Sequence, residues 1–250
     1  MTDRGVSEVL GYVLVFALVT GIIGVVFATG FSGLGGAQHE EQVQNIERAF
    51  DVLADNIDDL SGGDAPSRAT EVKLAGGSIS TGEAVTVLVE AENTSDSADN
   101  VSHSVQVEPI VYEDGDGTSI VYTTGAVLRA ESSGAVMLRD PRWVVRPDRS
   151  VLPLLNTGGS GGGAAGDGAV LVVAQRQSRS LGDPLVAEGG ATVRVNVTVT
   201  STRAEAWKRY FEAQGFNAFD GDATDDDVTY SFETDALYVP RSSVEVTFDR

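Results

Sequence analysis

The clearest chemical signals in the sequence are three acceptor motifs for N-linked sugars. Each is an Asn separated by one residue from a Ser or Thr, and the asparagines are Asn93, Asn100 and Asn196. A sugar can be attached at such a motif where the asparagine is exposed outside the cell. Asn93 and Asn100 flank an acidic polar stretch, so we expect them to be better acceptors than Asn196.

Carboxylates crowd into a second segment, residues 220–227, which reads DGDATDDD. Calcium prefers six to eight oxygen ligands, so such a run could bind it. The spacing does not follow the EF-hand pattern, however, and we expect a solvated surface here. The chain has no Cys and only two histidines, His39 and His103, which lie far apart in the sequence. We therefore expect no metal site.

Catalytic motifs are not recognisable in the sequence. His-Glu-x-x-His does not occur, and the letters Gly-x-Ser-x-Gly appear only inside the glycine-rich residues 158–162, not as a strand-to-helix elbow. The glycines of residues 158–161 also lack the lysine of a phosphate-binding loop. With 37 acidic residues, no carboxylate pair stands out as a glycosidase site. We expect a protein that is not an enzyme and that binds no cofactor.

The charge of the chain is strongly negative. Asp and Glu number 37 against 17 Lys and Arg, which gives a formal net charge of −20. Nucleic acids and anionic lipid surfaces need clustered basic residues, so neither is an expected partner. Concentrated salt screens the self-repulsion of such a chain. The charge favours a halophilic protein, with an ordinary acidic extracellular protein as the alternative.

One long apolar segment must hold these residues at a membrane. Residues 9–31 carry no charge, and about 20 apolar residues suffice to span a bilayer as a helix. The run is too long for the apolar part of a secretory signal, and a buried core helix of this length would show a polar face. Arg4 and the terminal amine favour a cytoplasmic N-terminus, so the remainder lies outside the cell.

The edge of this segment suggests processing. Arg4 and Gly5 directly precede Val6, and Glu8 stands where the apolar run begins. A cut after Gly5 would create an amine on Val6 close to the Glu8 carboxylate, and the two could pair within a chain or between packed helices.

Residues 4–11, RGVSEVLG, resemble the class III signal of archaeal type IV pilins and pilin-like proteins, in particular the haloarchaeal version. The resemblance implies that a prepilin peptidase removes residues 1–5 on the cytoplasmic side. It also implies that the apolar helices of many subunits, homologous or identical, bundle into a filament core. Bacterial type IV pilins place their glutamate at the fifth mature position, whereas Glu8 would be the third.

Beyond the membrane, residues 30–36 hold four glycines and predict a hinge that ends or loosens the apolar helix. Residues 39–60 then place apolar side chains at alternating spacings of three and four, which predicts an amphipathic helix. Its apolar face can pack under a sheet or against another subunit, and residues 61–66 end it.

The rest of the chain favours strands. Valines alternate with other residues over 85–89, 105–107 and 193–199, and residues 111–122 predict a hairpin with an acidic turn. Further strands are predicted at 135–139, 170–174, 228–232 and 244–248, and a short helix at 203–212 with Trp207, Tyr210 and Phe211 on its packing face. We expect residues 158–168 to be a flexible glycine-rich loop.

The sequence therefore predicts an α+β protein with an antiparallel, β-sandwich-like head. Its expected parts are a leader (1–5), a transmembrane and assembly helix (6–31), a hinge with an amphipathic helix (32–66) and an acidic extracellular head (67–250). The expected function is a structural subunit of a surface filament or pseudopilus, for adhesion or scaffolding. The alternatives are an unprocessed anchored domain that binds a ligand and a membrane-tethered hydrolase.

Overall fold

The computed structural model describes the backbone of residues 3–159, 161–219 and 226–250, and their side chains except those of residues 3–8, 28–35 and 37. Contacts divide the chain into two compact units, Met1–Asn45 and Ile46–Arg250. The second unit is called the head below. It begins within the predicted amphipathic helix rather than after it.

The first helix, α1, extends over Asp3–Gly62. Its helical backbone continues through residues 30–36, so the glycines there do not end the helix. A local loosening at these glycines stays a prediction. The helix stops at Gly62, where the turn-forming residues 61–66 predict its end.

In the head, α1 presents a continuous apolar face to the core. Ile46, Phe50, Leu53, Ile57 and Leu60 are all buried, as the three-and-four spacing predicts. The burial of this face confirms the prediction that it forms part of the core.

Among the residues that the structure describes, eighteen strands and one further helix follow α1. The strands are β1 (Ser67–Lys73), β2 (Ser78–Thr81), β3 (Val85–Asn93), β4 (Asp96–Val107), β5 (Ile110–Glu113), β6 (Ser119–Thr123), β7 (Ala126–Glu131), β8 (Gly134–Arg139), β9 (Ser150–Val151), β10 (Leu154–Gly159), β11 (Gly163–Ala165), β12 (Ala169–Ser180), β13 (Leu185–Val186), β14 (Val193–Thr200), β15 (Asn217–Ala218), β16 (Asp227–Thr234), β17 (Ala236–Tyr238) and β18 (Arg241–Asp249). The helix α2 (Ala204–Ala213) lies between β14 and β15.

The strands form four sheets. Their orders are β1-β12-β18-β10, β11-β2-β5-β6-β7-β8, β13-β17-β9 and β15-β16-β14-β3-β4. Most neighbours are antiparallel, but β10 pairs with β18 in parallel, and so does β17 with β9. The head is therefore mixed rather than purely antiparallel. Parallel neighbours need a long connection between them, which no local turn signal reveals.

The five-stranded sheet and the six-stranded sheet share one core with α2. The inner valines of β3 and β14 meet Val121 and Leu128 of the six-stranded sheet. Trp207, Tyr210 and Phe211 of α2 belong to the same core, as predicted, and Trp143 joins their rings. The opposite face of the six-stranded sheet is also buried, through Tyr112, Ile120 and Tyr122 among others.

Part of the predicted glycine-rich loop is strand instead. β10 continues to Gly159, and β11 pairs with β2 between residues 163 and 165. A Cβ at Gly163 would lie 2.6 Å from the carbonyl oxygen of Ile79. Gly163 is thus needed because two backbones approach closely there. Composition alone suggests only that the segment is flexible.

Candidate functional site

The apolar part of α1 is the most unusual surface of the first unit. Val9–Phe27 has a mean hydropathy of 2.6, and none of this stretch is buried within the protein. Tyr12, Phe16 and Phe27 each expose more than 60% of their surface, with exposures of 74%, 63% and 66%. Water does not solvate so large an apolar surface without a high cost. The segment is long and apolar enough to be a membrane span.

Small residues interrupt this apolar surface. Gly11, Gly21 and Gly24 have no heavy atom within 4 Å of the place where a Cβ would stand. Ala17 and Gly21 are four residues apart and therefore share one side of the helix. Small residues at this spacing allow the backbone of another helix to come close.

The proposed processing residues belong to the start of α1. Arg4, Gly5, Val6 and Glu8 have helical backbone. Their side chains lie outside the described part of the structure, as do Met1 and Thr2. The pairing of Glu8 with a new amine on Val6 therefore stays a prediction.

The three asparagines of the sugar-acceptor motifs differ sharply in accessibility. Asn93 is 7% exposed. Its Nδ2 donates to Asp99 at 3.4 Å, and its Oδ1 accepts from the Ser95 hydroxyl at 2.8 Å. A sugar on Asn93 would have to displace these contacts, which makes it the poorest of the three acceptors in the folded head.

Asn100 and Asn196 lie on the outer face of the five-stranded sheet. Asn100 is exposed at the start of β4, where its amide donates to the carbonyl of Ser97 at 3.0 Å. Asn196 is half-buried in the middle of β14, between β3 and β16. Both line an open groove with Glu90, Glu92 and Arg194. Exposure favours Asn100 as the acceptor.

A cluster of charges that the sequence does not reveal fixes α1 within the head. Asp58 is 7% exposed, and its carboxylate meets Arg139 at 2.9 Å and Arg142 at 2.8 Å. Arg139 also bonds Asp55 at 2.8 Å. Burial raises the pKa of Asp58, while the charges of Arg142 and Arg139 act in the opposite direction. We refer to Asp55, Asp58, Arg139 and Arg142 as the α1 ion cluster.

The C-terminal end of α1 is capped by a side chain from a distant strand. The Arg176 guanidinium of β12 donates to the carbonyl oxygens of Leu60 at 3.1 Å and Gly63 at 2.6 Å. The last carbonyls of a helix have no partner within the helix, and they carry its negative dipole end. The half-buried Arg176 satisfies both requirements.

Potential metal ligands do not converge where the chain is described. Within these residues, no three His, Cys, Asp or Glu side chains are grouped so that they could hold a metal ion. Residues 220–225 of the acidic run lie outside the described residues. His103 is on β4, and His39 belongs to the other unit.

Comparison with known proteins gives a family for the chain. Residues 4–247 match a family described as a family of unknown function, DUF7289. The chain belongs to this family. The match covers both the apolar segment of α1 and the β-rich head.

A relative is found in Archaeoglobus fulgidus, an uncharacterized protein that is 30% identical over 77 residues. That alignment covers 31% of this chain and 25% of the relative. No solved structure matches the chain.

Proposed function

We propose that the chain is a membrane-anchored, pilin-like structural subunit of an archaeal surface filament or pseudopilus. The observation that supports this most is the composition of α1. Its apolar part, Val9–Phe27, is long enough to span a membrane, and the same helix supplies residues 46–60 to the core of a β-rich head. An anchor of this kind leaves the head outside the membrane, with its sheets arranged in sandwich-like layers.

Processing is the part of the proposal that can be tested first. A prepilin peptidase would cut after Gly5, so the mature chain would begin at Val6. N-terminal sequencing or intact mass of the protein from its native cells measures this directly. A mature chain that still carries residues 1–5 would contradict the proposal.

A matched pair of glycine variants sharpens this test. Gly5→Val should leave the leader attached, whereas Gly11→Val lies within the apolar helix and should still be processed. The two changes add the same side chain and differ only in their distance from the cut. Equal processing of both variants would contradict a peptidase that reads the Arg4-Gly5 boundary.

Assembly would follow through the apolar helix. Ala17 and Gly21 form a small-residue side against which another helix can pack, and Glu8 could pair with the amine of Val6 in a neighbouring subunit. Gly21→Leu should abolish filaments visible by electron microscopy, while Ile22→Leu should not. Normal filaments in Gly21→Leu cells would exclude this side of the helix from the contact.

The medium and the surface of the head complete the proposal. A net charge of −20 suits a protein that works in concentrated salt, and an N-linked sugar on Asn100 suits one exposed outside the cell. Intact mass of Asn100→Gln, Asn93→Gln and Asn196→Gln compared with the parent chain should show loss of glycan mass for Asn100→Gln. Loss from Asn93→Gln would contradict the order of accessibility in the folded head.

A further inference from the structure

Strand β4 is an edge of the five-stranded sheet, and the residue that follows it, Glu108, bonds Thr157 of the neighbouring β10. β4 is twelve residues long and, within the described part of the chain, has β3 as its only strand partner. An edge strand presents a row of N–H and C=O groups that can pair with another strand. Proteins usually protect such edges with charges, prolines, bulges, short length or a covering element.

The other edges of the head carry such protection. β1 holds Arg68, Glu71 and Lys73 within seven residues. β8 lies beside α2, whose Arg209 donates to the carbonyl oxygen of Ala135. Of the remaining end strands, β9, β11, β13 and β15 are short. β10 is engaged by the hydrogen bond from Glu108 N to Thr157 O. Residues 100–106 of β4 contain neither a charged residue nor a proline, in a chain of net charge −20.

The sequence of this edge is nearly symmetric by residue type. Residues 100–106 read NVSHSVQ, so that moving outward from His103 meets Ser, Val and then a side-chain amide in both directions. Two antiparallel copies aligned at His103 would therefore place each residue opposite one of its own type. Val would face Val and Ser would face Ser, and Gln106 would lie opposite Asn100, whose side chain, with any attached sugar, projects from the outer face of the sheet.

We propose that β4 is the site at which two copies of this chain associate, by antiparallel pairing of residues 100–106 about a twofold axis at His103. We favour a second copy over the strand of another protein, because the near-symmetry of residues 100–106 places like residues opposite one another when two copies pair. Residues 100–106 themselves carry no Asp or Glu, so two acidic heads would meet there without carboxylates in the paired segment. The pairing would join two five-stranded sheets into one of ten strands.

The two faces of β4 suit this register. Val101 and Val105 are half-buried and pack beside the core, so valines opposite them would extend that apolar face. Ser102, Ser104 and Gln106 are exposed on the outer face, where hydroxyl and amide pairs across strands are favourable. His103 lies opposite Val89 of β3 on the inner side.

This association is separate from filament assembly. It uses the head and not the apolar part of α1, and it does not require that the leader be removed. A Gly5→Val chain that fails to assemble should still pair through β4. The two proposals can therefore fail independently.

The chain has no Cys, so a single introduced cysteine reports on the contact. Residues directly opposite on antiparallel strands have Cβ atoms about 4.5–5.5 Å apart, so a small movement brings two cysteines to the separation of about 3.5–4.5 Å that a disulfide needs. Full-length His103→Cys in membranes under mild oxidation should give a disulfide-linked dimer. Ala69→Cys, on the charged edge strand β1, is the matched control for random collision. Equal yields of dimer from the two variants would overturn the proposal.

The register is tested by mixing variants. Ser102→Cys and Ser104→Cys chains lie opposite one another in the proposed pairing, so their mixture should form more mixed dimer than either forms alone. A different preferred pair would overturn the alignment at His103.

A charge variant tests the edge without cysteines. Two lysines in His103→Lys would face each other across the twofold axis, which should weaken the dimer about fivefold or more, whereas His103→Gln should retain it. The measurement is the dimer fraction by analytical ultracentrifugation in detergent. Retention of circular dichroism in both variants excludes misfolding, and an unchanged dimer in His103→Lys would contradict the contact.

Discussion

Asp58 is the most constrained charge of the head, because its carboxylate is buried between two guanidinium groups. Arg139 and Arg142 lie 81 and 84 positions after Asp58 in the chain, so the pairing closes a long loop. No local pattern in the sequence marks these residues as partners. Removing one member of a buried pair leaves the other charges without compensation.

We therefore expect Asp58→Ala to lower the free energy of unfolding of the head by about 1.5–3 kcal/mol, because Arg142 stays partly solvated and Arg139 keeps Asp55 as a partner. Asp55→Ala is the control, since Asp55 is 64% exposed and its ion pair with Arg139 should contribute less than about 1 kcal/mol. Urea unfolding of the full-length protein in detergent measures both. Equal losses in the two variants would show that burial of Asp58 is not what makes it important.

His103 provides a residue-scale prediction of pH dependence. Burial, and then the positive charge of Arg241, lower the pKa of His103 below its ordinary 6.5. The unfolded chain thus binds a proton here more readily than the folded chain does. Stability contributed by neutral His103 is present above 6.5 and is lost as the pH falls toward the lower pKa of the folded state.

The expected result is that the melting temperature of the parent chain falls on acidification from pH 7.5 to 5 by more than that of His103→Gln. Differential scanning calorimetry of both proteins in the same buffers gives the comparison. Parallel curves for the two proteins would mean that the His103 pKa is not lowered on folding.

The acceptor motif of Asn93 can be recognised in the sequence, but its burial depends on the folded structure and cannot be predicted from the motif.

At the scale of elements, strong local patterns were sufficient for prediction. The valine alternation of β3 and β14, the hairpin of β5 and β6, the helix α2 and the apolar face of residues 46–60 are confirmed. The strands β9, β13, β15 and β17 have two or three residues each, too few to show a period of two. β1 was not predicted because its three charged residues obscure the apolar alternation of a strand. β10 was not predicted because its terminal glycines suggested a loop.

The two faces of α1 within the head make an element-scale prediction. Phe50 is fully buried, so Phe50→Ala should lower the unfolding free energy by about 3–5 kcal/mol through lost burial and a cavity. Val52, two residues later, is 53% exposed, and Val52→Ala should change it by no more than about 0.5 kcal/mol. Urea unfolding measures both variants. A comparable loss in Val52→Ala would place that side of the helix in a contact.

For the whole molecule, net charge is the dominant property. With a net charge of −20, the acidic side chains repel one another in dilute buffer. Salt weakens this repulsion, because the screening length falls from about 10 Å at 0.1 M to about 3 Å at 1 M. Composition predicts this property fully, because it depends only on counting. Sheet order is the opposite case, since it depends on contacts between residues far apart in sequence.

We expect the melting temperature of the head to rise steadily between 0.1 M and 3 M KCl. Sucrose at equal osmolality is the control, because it excludes itself from protein surfaces without screening charge. A rise in sucrose as large as that in KCl would show that screening is not the cause. Scanning fluorimetry over a salt series is sufficient for the measurement.

The position of β18 has a consequence for how the chain is made. This strand is the last element of the sequence, yet it lies between β12 and β10, and its Val244 and Val246 are buried. The four-stranded sheet therefore cannot close until β18 has been synthesised. Until then β12 and β10 lack the strand that lies between them, so an incomplete head is expected to bind chaperones during synthesis.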